Sequence, residues 1–229
     1  MNILVIAAHP DDEVLGCGSS IARWVREGHR VSVLFFTDGV GSRGKDAPAV
    51  KLRKRAAQQA AKILGFSIAG FGSLPDNQLD GVPLLKIAQA IERVKKKLRP
   101  DRVFTHFWGD LNIDHRRVFE AVLTAFRPQP GETCQAIYSF EVASATEWGN
   151  PADAFRPNTF LEVMDVDVER AVRAYQAYTH EVRADPHSRS VEAFLARRVV
   201  RGRECGAAWA EAFVLCRQVN ALASGKPSL

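Results

Sequence analysis

The sequence predicts an α/β fold: a mostly parallel, doubly wound sheet with helices on both faces and a less regular C-terminal part. Three observations predict it. Short apolar runs alternate with helix-like segments through the first half of the chain. The longest runs, such as Ile3 to Ala8, which is continuous, and Val31 to Phe36, are short and have the lengths of buried strands. The 229 residues, 46% hydrophobic and 25% charged, are enough to bury a substantial core.

Taken in order, Asn2 to Ala8 is the first strand. Asp12 to Glu27 is a helix with Val14, Leu15, Ile21, Trp24 and Val25 at helical spacing, and Gly28 stands where a C-terminal cap belongs. Arg30 to Phe36 is a strand, and the polar, glycine-containing stretch Asp38 to Pro48 a loop. Val50 to Leu64 is a basic, alanine-rich helix closed by Gly65, followed by a strand over Phe66 to Phe71 and a turn-rich connection over Leu74 to Gly81. Leu84 to Leu98 is a helix stopped by Arg99-Pro100, and Arg102 to His106 a fourth strand. Asp114 to Phe126 is a helix that Asp114 can cap. Repeated βα units of this kind imply right-handed crossovers. Beyond Pro128 the rhythm loosens: strands are expected at Ala136 to Val142, Thr159 to Val163 and Ala212 to Cys216, helices at Val166 to Tyr178 and Ser190 to Arg203. No linker, repeat or low-complexity tract interrupts the chain, so a single domain over 1–222 is expected, with a frayed tail at 223–229.

Composition excludes several classes. Glycine and proline are too few and too aperiodic for a collagenous or disordered chain, and no apolar run reaches transmembrane length. No basic region or cleavage site precedes the first strand, so no signal peptide is expected. The four cysteines, Cys17, Cys134, Cys205 and Cys216, have no CxxC spacing and read as reduced thiols of a cytoplasmic protein. The net charge of +5 is spread among acidic residues, with its densest clusters (Lys51 to Arg55, Lys95 to Lys97) on helix faces. Solvated helices, and not a nucleic-acid surface, are the expectation. A homo-oligomer is left open.

Chemistry is concentrated in Ala8-His9-Pro10-Asp11-Asp12-Glu13, directly after the first buried strand. Sites in open α/β sheets are built at this carboxyl end. His9 and Asp12, three apart across a turn, can bring both side chains to one ion, with Asp11 facing its open side. A catalytic zinc site needs a third ligand and one water position. Asp110-Leu111-Asn112-Ile113-Asp114-His115 follows the fourth strand, the neighbour of the first in the common doubly wound order. His9, Asp12 and His115 then form a two-histidine, one-carboxylate set suited to Zn²⁺ and tolerant of Fe²⁺, Co²⁺ or Mn²⁺. A metal-dependent phosphoester hydrolase and a catalytically silent sugar- or nucleotide-binding protein of the same fold are the competing readings.

His9-Pro10-Asp11-Asp12-Glu13 paired with Asp114-His115 resembles the signature of the PIG-L/LmbE family of metal-dependent N-deacetylases. Gly16-Cys17-Gly18, Thr37-Asp38-Gly39, Arg53, Pro75-Asp76 and Ala210-Glu211-Ala212-Phe213 extend the resemblance over most of the chain. The family acts on N-acetylglucosamine-type conjugates and has a Rossmann-like fold. The resemblance therefore implies a zinc-dependent hydrolase of a linear amide C–N bond, with a small N-acetylated sugar, free or conjugated, as substrate. It implies His9, Asp12 and His115 as ligands, Asp11 as general base, and Arg53 and Asp76 as sugar-holding residues. Asp114 is expected to orient His115 or a catalytic partner. Where several family members carry a histidine assigned to the tetrahedral oxyanion, this chain has Asn112. Its amide can donate to that oxygen, or His106 or His180 can take its place.

Smaller features carry plainer readings. Gly16-Cys17-Gly18 lacks a P-loop lysine and reads as close helix packing. Asp38 closes a turn or reaches the pocket, Trp148 stacks on a sugar or is buried, and His29 is a strand-edge residue. The segment His180 to His187 is a surface loop or a lid over the metal.

Overall fold

Strand β1 (Asn2–Ala7), inside the sheet, is buried along almost its whole length because parallel neighbours flank it on both sides and helices cover both faces. In this computed structural model, residues 1–44 and 47–220 are described; the expected tail at 223–229 and the domain end at 222 lie outside them. The remaining strands are β2 (Arg30–Thr37), β3 (Ser67–Leu74), β4 (Arg102–His106), β5 (Ala136–Phe140), β6 (Thr159–Glu162) and β7 (Ala210–Gln218). They form one seven-stranded sheet in the order β3-β2-β1-β4-β5-β7-β6. The first five strands are parallel, and β7 runs antiparallel to both β5 and β6. This is the mostly parallel, doubly wound α/β fold that the sequence predicts.

Alternate residues of β1 serve opposite faces. Ile3, Val5 and Ala7 enter a core with Val33, Phe35, Phe104, Phe140 and Phe213, beneath α1 (Asp12–Arg26), α2 (Ala47–Leu64) and α5 (Asp165–Gln176). Leu4, Ile6 and Ala8 enter the other core with Leu34, Phe36, Val103 and Ile137, covered by α3 (Leu84–Leu98) and α4 (Ile113–Ala125). Winding reverses between β1 and β4, which opens the crevice at their carboxyl ends.

Several boundaries differ from expectation. Helix α2 begins at Ala47, so the loop after β2 is shorter and carries a 3-10 turn at Gly41–Arg43. Strand β7 is longer than Ala212 to Cys216, because it pairs with β5 on one side and β6 on the other. Helix α4 is capped by Asn112, whose Oδ1 accepts the Asp114 N–H at 2.8 Å, and not by Asp114. The Asp114 carboxylate is turned inward to other donors. The close-packing reading of Gly16 agrees with its surroundings, since a Cβ there would lie 2.3 Å from the Phe140 ring.

The C-terminal third is tied to α1 by buried charge. Arg198, on α6 (Val191–Cys205), pairs with Glu211 of β7, and neither is more than 4% exposed. Glu211 accepts the N–H groups of Ser19 and Ser20 at 3.0 and 2.7 Å, while Arg198 donates to Ser19 Oγ and to the Val14 carbonyl. The helix that begins at the metal-type motif is thereby held by residues about 180 positions away. Removing one partner leaves the other charge buried and uncompensated. Glu211→Ala should lower unfolding free energy by about 3–5 kcal/mol in denaturant titrations, and Arg198→Met with Glu211→Leu should recover most of it.

Candidate functional site

Side chains at the carboxyl ends of β1 and β4 converge as the winding reversal requires. His9 Nδ1 lies 3.2 Å from Asp12 Oδ2 and 3.2 Å from His115 Nε2, and His115 Nε2 lies 3.4 Å from Asp12 Oδ1. These donors form a group able to hold a metal ion. With Zn–N bonds of about 2.0–2.1 Å, one edge of a tetrahedral zinc site is roughly 3.3 Å, so the His9–His115 separation and that from His115 to Asp12 Oδ1 fit that ion. Asp12 Oδ1 is buried and has no hydrogen-bond partner among the described residues, as an oxygen reserved for a cation would be.

The other face of each imidazole is held by carboxylates. His9 Nε2 lies 3.1 Å from Asp114 Oδ2 and 3.2 Å from Asp76 Oδ1, so a proton on that nitrogen is met by two carboxylates. Asp110 Oδ2 lies 3.1 Å from His115 Nδ1, near enough for charge pairing but without hydrogen-bond alignment. Asp114 thus contacts His9, not its sequence neighbour His115. Its oxygens also accept the N–H groups of Asn77 at 2.7 Å and Leu79 at 2.9 Å.

A second group, His9, Asp76 and Asp114, also has ligand spacing. Its carboxylates are already occupied by donors: Asp76 accepts from Thr37 Oγ1 and the Ser42 N–H, and Asp114 from the two N–H groups above. They serve as supports for His9.

Electrostatics follow from this crowding. Burial opposes a charge on His9 and His115, but the Asp12 carboxylate and its neighbours outweigh it, raising His9 well above its usual value and His115 to about 9. Burial works against Asp12 as an anion too, yet His115, His106 and His9 hold its carboxyl well below the usual range. His106 moves the other way, lowered well below its ordinary value by burial and by the charge of His115. It stacks on His115 at 3.8 Å, and its Nε2 accepts the Ala8 N–H at 2.8 Å.

Asp11 sits at φ 135°, a strained conformation for a residue with a Cβ. Its N–H donates to Glu13 Oε2 at 3.0 Å, and Tyr178 donates its hydroxyl to Glu13 Oε1 at 2.6 Å. Burial pushes the Glu13 carboxyl up to about 8. Asp11 Oδ2 meets Arg53 Nη1 and Arg189 Nη1, each at 3.1 Å. Both guanidinium groups also reach Glu181, at 2.5 and 3.0 Å, closing a four-membered ring of alternating charge. Burial also raises the Asp11 carboxyl, with the two arginines opposing it.

Several predicted residues take other places. Arg53 is already engaged: it donates to the Pro10 and Gly39 carbonyls besides its two ion pairs. Asp76 braces His9 and the loop at Ser42. Asn112 Nδ2 donates to Asn77 Oδ1 at 3.0 Å while Oδ1 caps α4, so both ends of its amide are engaged. His180 is exposed and lines an apolar cavity of about 600 Å³ with Leu52, Ala56 and Tyr178, to which Arg53 and Glu181 also contribute. Trp148 is 54% exposed beside His187. Asp38 accepts the Val40 and Gly41 N–H groups and so closes its turn. Four contributors were missed as functional side chains. Asp110 and Glu13 lie inside the recognised motifs, where the cost of burying a carboxylate was the signal. Glu181 and Arg189 sit in or beside the polar segment 180–187, and no spacing links them to Asp11.

The family model described as "PIG-L: GlcNAc-PI de-N-acetylase" matches residues 4–126. The chain is 32% identical over 133 residues to the uncharacterized deacetylase YaiS of Escherichia coli, covering 56% of this chain and 69% of that protein. It is 25% identical over 199 residues to the probable N-acetyl-alpha-D-glucosaminyl L-malate deacetylase 2 of Bacillus cereus, covering 82% and 88%. In fold it is similar to N,N'-diacetylchitobiose deacetylase from Pyrococcus horikoshii, with a TM-score of 0.74, 20% identity, and coverage of 93% and 83%. The match to the family model takes in the first four strands and both loops that carry the histidines and carboxylates described above, and the chain belongs to the PIG-L family of de-N-acetylases.

Proposed function

We propose that this protein is a zinc-dependent hydrolase that removes the acetyl group from an N-acetylated amino sugar of the N-acetylglucosamine type, free or conjugated. The observation that carries the reading is the group of His9 Nδ1, His115 Nε2 and the Asp12 carboxylate, each ring nitrogen within 3.4 Å of the other and of an Asp12 oxygen, beside the strained Asp11. His9, Asp12 and His115 would hold the ion, and Fe²⁺, Co²⁺ or Mn²⁺ would suit the same donors. A divalent ion bound there supplies a lowered water pKa and polarisation of the acetyl carbonyl.

The chain's own residues do the rest. Asp114 and Asp76 would hold a proton on His9 Nε2 and leave Nδ1 to an ion that takes the place of the forward proton, and Asp110 lies 3.1 Å from the rear nitrogen of His115. Glu13 holds the backbone of Asp11 by its N–H. Asp11 takes a proton from the attacking water and returns it to the leaving amine. Trp148 offers an exposed aromatic face of the kind that stacks on a sugar ring. Two histidine donors weigh against a magnesium phosphoesterase, since Mg²⁺ prefers an all-oxygen shell.

Three outcomes are expected. Wild-type protein should carry about one zinc or iron per chain by elemental analysis and release amine from N-acetylglucosaminyl glycosides, with His115→Ala losing the metal; a wild type that binds no zinc would sink the reading. Asp11→Asn should keep the metal while kcat falls by about 10²–10⁴, and a variant that lost metal but kept its single-turnover rate would refute the base role. Asp110→Asn should weaken metal affinity by about 10–100-fold in competition titrations with a chelating dye.

A further inference from the structure

Amide hydrolysis generates negative charge on the carbonyl oxygen, and a side-chain donor there is worth a large rate factor. The side chains that the sequence suggested for that task are committed elsewhere. Asn112 has its amide orientation fixed by Asn77 and the α4 cap, which leaves it one Nδ2–H and no charge to set against an oxyanion. His106 is fully buried beneath His115 with its Nε2 occupied. His180 is exposed on the wall of the apolar cavity. Arg53 has a side chain only 5% exposed and both terminal nitrogens engaged.

Arg189 differs. Its Nη1 bridges Asp11 and Glu181, and its Nε donates to Ser144 Oγ at 2.5 Å, so the guanidinium plane is held at two points. Its Nη2 makes no hydrogen bond among the described residues, and the side chain is 17% exposed. The group is therefore fixed next to the proposed base and has a free N–H pair. Base and oxyanion donor must contact neighbouring oxygens on one carbon, each at a hydrogen-bond distance of about 2.7–3.1 Å, so they have to lie side by side.

We propose that Arg189, resting on the deacetylase reading above, is a catalytic residue that donates Nη2–H to the carbonyl oxygen as it becomes an oxyanion. Water oxygen bonds to the carbonyl carbon, one water proton passes to Asp11, and the C=O π pair moves onto oxygen. Collapse restores C=O and breaks C–N, and the proton on Asp11 passes to the departing amine. The charges are matched in time. Asp11, Glu181, Arg53 and Arg189 sum to zero at rest; when Asp11 accepts the proton the ring becomes +1, just as the carbonyl oxygen becomes −1.

The test uses metal-loaded full-length protein and a panel of N-acetylglucosaminyl glycosides, with amine release as the assay. Arg189→Ala should lower kcat by about 10²–10³ with KM changed less than about threefold, and added guanidinium ion should restore part of the rate. Metal content should match wild type, and Tm should fall by only a few degrees, since Arg53 remains to offset Asp11 and Glu181. Calorimetric affinity for the phosphonamidate analogue of the best substrate, whose P–O⁻ mimics the oxyanion, should fall in parallel with kcat/KM across Arg189→Ala, Arg189→Gln and Arg189→Lys. Unchanged kcat overturns the proposal. So does a lost kcat with undiminished analogue affinity, which would make Arg189 a brace for Asp11, and so does loss of metal in all three variants. A metal-loaded wild type inactive on the whole panel overturns the deacetylase reading and this inference with it, whereas an active wild type with unaffected variants overturns this inference alone.

Discussion

A carboxylate taken out of water costs several kcal/mol unless donors or opposite charges meet it. At the carboxyl ends of β1 and β4, Asp11, Asp12, Asp76, Asp110 and Asp114 are packed together, none more than 3% exposed. Much of the local architecture answers that constraint. Backbone N–H groups of His9, Asn77, Leu79, Asn112 and Ser42 point at these oxygens, and two guanidinium groups face Asp11. The imidazoles of His9 and His115 are raised in basicity because a proton on them offsets Asp12 and its neighbours. A divalent cation seated between those rings and Asp12 answers the same demand, which is why charge balance and ligand geometry point to one place.

The fold divides this work between its two halves. The parallel half supplies the motif residues, since each βα connection leaves the sheet at the same edge. The C-terminal third, less regular because β7 returns antiparallel, supplies restraint. Tyr178 steadies Glu13, Glu181 and Arg189 complete the ring around Asp11, and the Arg198–Glu211 pair anchors α1 itself. The strain at Asp11 persists because residues from both halves over-determine it.

Some of this was legible in the amino-acid order and some was not. Helix α3 and strand β4 fall at their expected bounds because their signals are local: an apolar stripe closed by Arg99-Pro100, and a short buried run. The convergence of His9, Asp12 and His115 was legible because strand order in a doubly wound sheet converts sequence position into edge position. The capping role of Asn112 was not legible because a side chain preceding a helix can cap it or serve a ligand, and the contact to Asn77 is set only by the tertiary structure.

The sequence by itself determined the alternation of strands and helices, the edge at which the site forms, and the residues rich enough in chemistry to form it. These depend on periodicity, turn chemistry and the expense of placing charge after a buried strand. Tertiary structure alone decided which carboxylate supports which imidazole, that His106 lies beneath the site and not in it, and that Arg189 reaches Asp11 across 178 positions. Such pairings are set by packing of elements from distant parts of the chain. Burial makes them obligatory, but no spacing along the sequence encodes the partner.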